Sequence, residues 1–106
     1  MRDGPKVPYT GQFGDTVGYD FHQKENDTWY VTLDVSEKHM NQYGIAHGGV
    51  PLTLMDVAGG LAVYDLPLEF NRIATISMSH NFIGPVCAGI VTAVGIVEHH
   101  GKSVAY

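Results

Sequence analysis

The side chain of Asp56 is the first candidate for chemistry in this sequence. It lies within residues 50–64, where nearly every other residue is apolar or glycine. Burying a carboxylate among apolar side chains is costly unless the charge is paired or used. Asp56 therefore either occupies the one solvent-facing position of this segment or serves as a functional acid.

Gly48 and Gly49 precede this segment at the point where a helix is predicted to begin. Pro51 suits the first turn of a helix, where its missing N–H is not needed. The first backbone N–H groups of a helix have no partner within it, and the helix dipole adds positive potential there. Glycine also lets a bound molecule approach the backbone closely. These properties suit an oxyanion hole for the carbonyl of an ester or thioester.

The remaining reactive side chains give weaker signals. The six histidines contain no His-Glu-x-x-His pattern, and one cysteine cannot make a zinc ribbon, so the sequence predicts no metal and no redox cofactor. Cys87 has no helix N-terminus or basic neighbour that would activate its thiol. Residues 101–103 match the end of a phosphate-binding P-loop, but Ile96 stands where that motif needs glycine.

Alternating apolar and polar residues predict the strands. Strands are expected over residues 18–23, 28–35, 73–82 and 90–98, and residues 103–106 begin a further one. The polar residues 24–27 fit a hairpin connection between the first two strands. The clearest alternation, typical of a sheet with one buried face, is that of Trp29, Val31, Leu33 and Val35.

Residues 50–64 are predicted to form one helix that ends at residues 65–67. Apolar residues occupy most of its circumference, which is typical of a buried helix. Gly59 and Gly60 each weaken a helix by roughly 1 kcal/mol relative to alanine, and close packing against a sheet would compensate for that. One face carries apolar residues spaced by three or four positions, which are Leu54, Ala58 and Leu61.

The order of these elements predicts an α+β fold, with an antiparallel sheet wrapped around one long, buried central helix. Residues 1–16 are rich in glycine and proline and are expected to form an irregular N-terminal arm. Residues 17–106 are expected to form a single domain, because 106 residues allow no more than one.

The composition excludes several classes of protein. Charged residues make up 16% of the chain, against about 25% in an average soluble domain, which favours an oligomer that hides part of its surface. Six lysines and arginines are scattered through a chain of net charge −5, so no basic face for nucleic acid is predicted. No run of 18 apolar residues and no signal-type N-terminus are present, so the prediction is a cytoplasmic protein that does not enter a membrane.

Two segments of the sequence resemble a known family. Residues 41–56, Asn-Gln-Tyr-Gly-Ile-Ala-His-Gly-Gly-Val-Pro-Leu-Thr-Leu-Met-Asp, look like the signature of hotdog-fold acyl-CoA thioesterases of the phenylacetate-degradation (PaaI-like) type. Residues 76–86, which contain Asn-Phe-Ile-Gly-Pro-Val, resemble the strand that follows the helix in that family. The turn at 100–103 is a weaker third match. The resemblance implies a hotdog fold and hydrolysis of an acyl-CoA thioester to a carboxylic acid and CoA.

The resemblance also implies roles for matching residues. Asp56 falls at the catalytic carboxylate, which acts as a general base for water or as a nucleophile. The Gly48 N–H would hold the carbonyl oxygen, and His47 would orient that loop or the carbonyl. Asn41 would position the water or the thioester, and Thr75 would assist the water.

The turn formed by His100, Gly101, Lys102 and Ser103 falls near the CoA phosphates in the family. Lys102 is the best candidate for neutralising those phosphates, and Arg72 is a poorer one. The acyl group is not defined. Side chains that could line an aryl or medium-chain pocket, or be ordinary core, are Met55, Tyr64 and Phe82.

Spacing along the helix favours a homodimer. His47 and Asp56 are separated by about 12 Å at the helical rise per residue, too far for one carbonyl to touch both in one chain. The resemblance implies the same arrangement, in which the acid comes from the neighbouring subunit, in a dimer or a pair of dimers.

Two departures from the family remain. Gly84 stands where many relatives carry an arginine. Relatives also continue beyond the strand begun at residue 103, so either the chain is truncated or something else fills a gap in the sheet. A hotdog dehydratase would need a different His and acid pattern. The main alternative is a hotdog module that binds acyl-CoA without hydrolysing it.

Overall fold

Two helices and three strands make up the regular structure of the described residues, which are 8–26, 28–67 and 72–106 of the computed structural model. The elements in chain order are α1 (Gly11–Val17), β1 (Asp20–Gln23), β2 (Trp29–Val35), a 3-10 turn (Glu37–His39), α2 (Gly49–Tyr64) and β3 (Gly89–Ala93). Neither described helix has the length and hydropathy needed to cross a bilayer.

The three strands form one antiparallel sheet in the order β1-β2-β3. Phe21 pairs with Val31 across the first ladder, and Leu33 pairs with Val91 across the second. The predicted alternation along β2 is confirmed, because its four apolar positions are buried and form much of the core. The sheet therefore has one face against α2 and one face toward solvent.

Helix α2 has the predicted length but is covered on one face only. Leu54, Ala58 and Leu61 are buried against the sheet, whereas Met55 and Asp56 are exposed. The predicted buried helix is covered on this one side because the three described strands reach only that side of it. The exposed side carries the candidate acid.

The chain passes very close to helix α2 at Gly95, just after β3. A Cβ atom at Gly95 would lie 2.3 Å from the Ala58 carbonyl oxygen and 2.9 Å from the Ala62 Cβ. The expectation that Gly59 and Gly60 make this approach is wrong, since no atom of the described residues, apart from the helix's own backbone, lies within 4 Å of a Cβ at either of them. The glycine that permits close packing belongs to the strand side.

The N-terminal arm predicted over residues 1–16 is not irregular throughout, because residues 11–16 form most of helix α1. That part of the prediction is wrong. Residues 1–7 of the arm lie outside the described part of the chain. Gly18 adopts a left-handed φ of 93° and donates its N–H to the Gly14 carbonyl at 2.7 Å, which ends the helix. Tyr19 packs on Gly14, where a Cβ would lie 2.9 Å from its ring. Tertiary contacts thus override the weak helix propensity of glycine.

The strand predicted over residues 73–82 is not found. The strand predicted over residues 90–98 is shorter than expected, because its hydrogen-bonded pairing ends at Ala93. A strand needs a hydrogen-bonded neighbour, and no described segment pairs with residues 73–82.

Residues 98–106 turn back on themselves as predicted, with a bridge between His100 and Ala105. The Tyr106 N–H donates to the His99 carbonyl at 2.7 Å, which closes this turn.

Candidate active site

Asp56 and Thr75 meet on the exposed side of α2. The Thr75 hydroxyl donates a hydrogen bond to Asp56 Oδ1. Thr75 lies in the segment after α2, and the family resemblance predicts it as the residue that assists the water. Among the described residues none donates to Asp56 Oδ2, so this oxygen is free to accept a proton or a hydrogen bond from a bound molecule.

A groove of about 760 Å³ runs past this pair. Its floor is the exposed side of α2, including Asp56, Gly59 and Gly60. Its walls are residues 72–78 and residues 96–97 with 100–106. All four residues expected at the CoA phosphates line it, namely His100, Gly101, Lys102 and Ser103.

Two cations of the described residues line this groove. Lys102 and Arg72 both line it, and both are exposed. They are the cations that the sequence had suggested for a phosphate group. The structure therefore brings the candidate acid, its threonine partner and the candidate phosphate-binding residues to one place.

The start of α2 carries the second group of candidate residues. The Gly49 N–H donates to the His47 ring at Nδ1 over 2.9 Å, and the Val50 N–H donates to the His47 carbonyl over 2.8 Å. The Leu52 N–H reaches the Gly48 carbonyl at 3.4 Å, and Pro51 has no N–H. Within the described chain, Gly48 is therefore the residue of this helix start whose N–H has no partner. Of the two glycines, only Gly48 offers a donor to a carbonyl oxygen.

His47 is fixed in one tautomer by this arrangement. Its Nδ1 accepts from the Gly49 N–H, so the proton of the neutral ring lies on Nε2. A Cβ at Gly49 would lie 3.2 Å from that Nδ1, so a larger residue there would press against the ring. The ring is exposed, and its Nε2–H is available as a donor.

His39 supports the loop that leads into α2 and was not singled out from the sequence. Its side chain is buried, its Nδ1 accepts from the Ser36 N–H at 2.9 Å, and its Nε2 donates to the Val17 carbonyl at 2.6 Å. Its own carbonyl accepts the His47 N–H at 2.8 Å. One residue therefore joins α1 to the loop that carries His47. The capping pattern from Ser36 to His39 was the one available signal.

Asn41 shapes the same loop. Its Oδ1 accepts hydrogen bonds from the Tyr43 N–H at 2.9 Å and the Ile45 N–H at 3.3 Å. Its backbone N–H donates to the Ile45 carbonyl at 2.8 Å. The side-chain oxygen is thus occupied within the loop, and only the amide NH₂ group remains for a bound molecule.

The two groups of candidate residues lie apart in one chain. Gly48 and Asp56 are separated by about 12 Å at the helical rise. Asp56 and Thr75 line the groove, whereas His47, Gly48 and Asn41 do not. The structure therefore keeps the candidate donor for the carbonyl and the candidate acid at different positions along α2.

The three suggested acyl-pocket residues occupy different environments. Met55 lines the groove beside Asp56, and Tyr64 is half-buried against the core. The Phe82 ring instead lies against Gly48 at the start of α2.

Tyr19 is a core residue whose pKa is affected by burial and by nearby acids. Burial first, then the negative charges of Asp56 and Asp15, raise the pKa of Tyr19 above its ordinary value. The phenol therefore stays protonated, and it donates to the Thr10 carbonyl at 3.4 Å.

Among the described residues, no group of three His, Cys, Asp or Glu side chains is arranged to hold a metal ion.

The architecture matches that of a solved hotdog-fold protein. The BH2602 protein from Bacillus halodurans, crystallised with CoA, superposes with a TM-score of 0.78 at 23% identity, over 89% of this chain and 62% of that one. This similarity establishes the hotdog fold. Residues 43–106, more than half of the chain, match the thioesterase superfamily. The chain belongs to that superfamily.

Individual relatives agree with this assignment. A 1,4-dihydroxy-2-naphthoyl-CoA hydrolase of Listeria monocytogenes is 28% identical over 89 residues, which are 84% of this chain and 72% of that protein. The TV1331 protein of Thermoplasma volcanium is 34% identical over 62 residues, which are 58% of this chain and 46% of that protein. The chain thus spans about half the length of some of the curated relatives that it matches.

Proposed function

We propose that this chain provides the catalytic domain of an acyl-CoA thioesterase, which hydrolyses an acyl-CoA thioester to a carboxylic acid and free CoA. The observation that carries the proposal is the exposed Asp56 carboxylate, held by the Thr75 hydroxyl in a groove with two cations. Membership of the thioesterase superfamily supports the same reaction.

In the proposed reaction, Asp56 supplies the negative charge that activates the attack. As a general base, its free Oδ2 takes a proton from a water molecule while the water oxygen bonds to the thioester carbon. As a nucleophile, Oδ2 itself bonds to that carbon, expels the CoA thiolate and forms a mixed anhydride that water then hydrolyses. The Thr75 hydroxyl holds Oδ1 and so directs Oδ2 toward the groove.

The Gly48 N–H serves as the donor for the carbonyl oxygen. Negative charge develops on this oxygen when the carbon becomes tetrahedral, and a fixed N–H at a helix start stabilises it. The His47 ring accepts the Gly49 N–H and fixes the loop, so of the two glycines only Gly48 has an N–H left to bind the carbonyl oxygen of the substrate. Collapse of the tetrahedral intermediate breaks the C–S bond, and the CoA thiolate leaves and takes up a proton.

A homodimer unites the two parts of the site. One carbonyl cannot reach a Gly48 N–H and an Asp56 carboxylate that are about 12 Å apart on one helix. We infer that each site takes Gly48 from one subunit and Asp56 from the other, in a dimer or a pair of dimers. Several apolar side chains after α2 are exposed in the single chain, as an interface requires, including Ile76 and Ile83.

The CoA phosphates are proposed to lie near Lys102. The chain carries a net charge of −5, so a polyanionic ligand needs local cations, and Lys102 and Arg72 line the groove. An aromatic acyl group is the favoured substrate class, because one relative is named for a naphthoyl-CoA ester. The phenylacetate-degradation subtype and the cytoplasmic location stay predictions.

The decisive test is thiol release from a panel of aryl, phenylacetyl, short-chain and medium-chain CoA esters. Asp56→Asn should lower turnover by roughly 100-fold or more while substrate binding persists. Asp34→Asn is the matched control, because Asp34 is an exposed acid on β2, outside the groove. Near-normal turnover in Asp56→Asn would overturn the role of this residue. Binding of every ester without thiol release would favour an acyl-CoA-binding module instead.

A further inference from the structure

The ring of Phe82 lies against Gly48, the residue of this helix start whose N–H lacks a partner in the described chain. A Cβ at Gly48 would lie 3.3 Å from Phe82 Cζ, 3.6 Å from Cε2 and 3.9 Å from Cε1. The outer edge of the ring therefore points at the Gly48 α-carbon. Gly48 has helical dihedrals, φ −55° and ψ −26°, so the ring and not the backbone conformation would have to yield slightly to a side chain there.

Most of the Phe82 ring is nevertheless open to solvent. The residue is 57% exposed, although it packs against both Gly48 and His80. The His80 ring meets it edge to face, with centroids 4.6 Å apart and planes at 74°. His80 thus holds the ring on one side. The remaining surface of the ring is apolar and lies next to Gly48.

We propose that Phe82 forms the wall of the acyl subsite and selects planar, aromatic acyl groups, an inference that rests on the proposed function. A carbonyl oxygen bound to the Gly48 N–H at about 2.9 Å brings the carbonyl substituents beside this ring. An acyl group whose ring is attached at or next to the carbonyl can stack on Phe82 or meet its edge. An alkyl chain gains only apolar contact there. Aromatic pairs favour such contacts beyond the effect of burial alone.

The test measures binding of two inert ketone analogues, in which a CH₂ group separates the CoA sulfur from the carbonyl. One is phenacyl-CoA, and the other is a 2-oxoalkyl-CoA with the same number of carbons. Wild-type protein should bind the aryl analogue more tightly, and Phe82→Leu should reduce that preference by roughly 3- to 10-fold. Phe82→Tyr, which keeps the ring, should retain the preference.

Phe13→Leu is the matched control, because Phe13 is a similarly exposed phenylalanine, 62% accessible, on α1. It should leave the preference unchanged. Equal weakening of both analogues by Phe82→Leu, or no aryl preference in the wild type, would overturn the proposal. Binding does not require turnover, so a Phe82-dependent preference in a protein that releases no CoA would refute hydrolysis and leave this inference standing.

Discussion

Thr75 donates a hydrogen bond to Asp56 across 19 positions of sequence. The donor lies in a segment without regular structure, and the acceptor lies on the exposed side of α2. A hydroxyl that holds one carboxylate oxygen leaves the other in a defined direction. This relationship makes Thr75 a positioning residue for the proposed acid.

Replacing Thr75 by valine removes the donor while keeping the shape of the side chain. We expect kcat to fall by roughly 10-fold, because hydrogen bonds to charged groups contribute more than neutral ones. KM should change little, since the hydroxyl acts on Asp56. Steady-state kinetics on one aryl-CoA ester measures both constants. Thr75→Ser restores the hydroxyl and should recover most of kcat; a serine variant as slow as the valine variant would contradict this role.

Proline at position 48 removes the proposed carbonyl donor alone. The φ of −55° at Gly48 is compatible with proline, and its N–H makes no hydrogen bond within the described chain. Gly48→Ala adds a comparable Cβ against Phe82 but keeps the N–H, so it is the matched control. Gly48→Pro should lower kcat/KM by roughly 100-fold relative to Gly48→Ala, as loss of one oxyanion donor does. Equal activities of the two variants, measured at equal folded fractions by circular dichroism, would exclude this N–H from the reaction.

Alanine at position 95 should destabilise the fold. Its Cβ would lie 2.3 Å from the Ala58 carbonyl oxygen, so strand and helix must separate. We expect the free energy of unfolding to drop by about 2 kcal/mol or more, as other overpacked cores do. Urea denaturation at fixed protein concentration measures this change.

The opposite sign is expected at Gly60. Beyond the helix's own backbone, no atom of the described chain lies within 4 Å of a Cβ there, and alanine favours a helix interior by up to about 1 kcal/mol. Gly60→Ala should therefore stabilise the protein slightly in the same urea experiment. A destabilised Gly60→Ala protein would show that another part of the assembly packs on this side of α2.

Removing the His39 side chain should loosen helix α1. His39→Ala leaves the Ser36 N–H and the Val17 carbonyl without their partner and opens a cavity, at a cost of about 3 kcal/mol. Hydrogen exchange should accelerate over residues 11–17 before the sheet is affected. His22→Ala, at an exposed histidine on β1, is the control. Unchanged exchange in His39→Ala would contradict the proposed link.

Local patterns in the sequence predicted those elements whose pattern lies within the element itself. The alternation along β2 and the limits of α2 need only neighbouring residues, and both are confirmed. The link from His39 to Val17 joins residues 22 positions apart, and nothing in either neighbourhood specifies the other. The close approach at Gly95 was assigned to the wrong glycines, because contact between strand and helix depends on how the two cross.

The candidate site likewise has features that residue types predict and features that depend on the fold. Asp56 and the glycines at the helix start stand out by residue type, but the choice of Gly48 over Gly49 depends on where the His47 ring turns. Strand 73–82 was predicted from its alternation, yet a ladder also needs a neighbour that pairs with it. Sequence patterns therefore pointed to candidate residues more readily than to the surfaces around them.

The distance between Gly48 and Asp56 along α2 has a genetic consequence. If each site draws one of these residues from each subunit, two inactive variants can complement one another. A subunit with Asp56→Asn keeps its Gly48, and a subunit with Gly48→Pro keeps its Asp56, so their heterodimer contains one intact site of two. Mixing and refolding equal amounts of the two inactive proteins should restore about a quarter of the wild-type activity. A mixture that stays inactive while exchanging subunits would place both residues of each site in one chain.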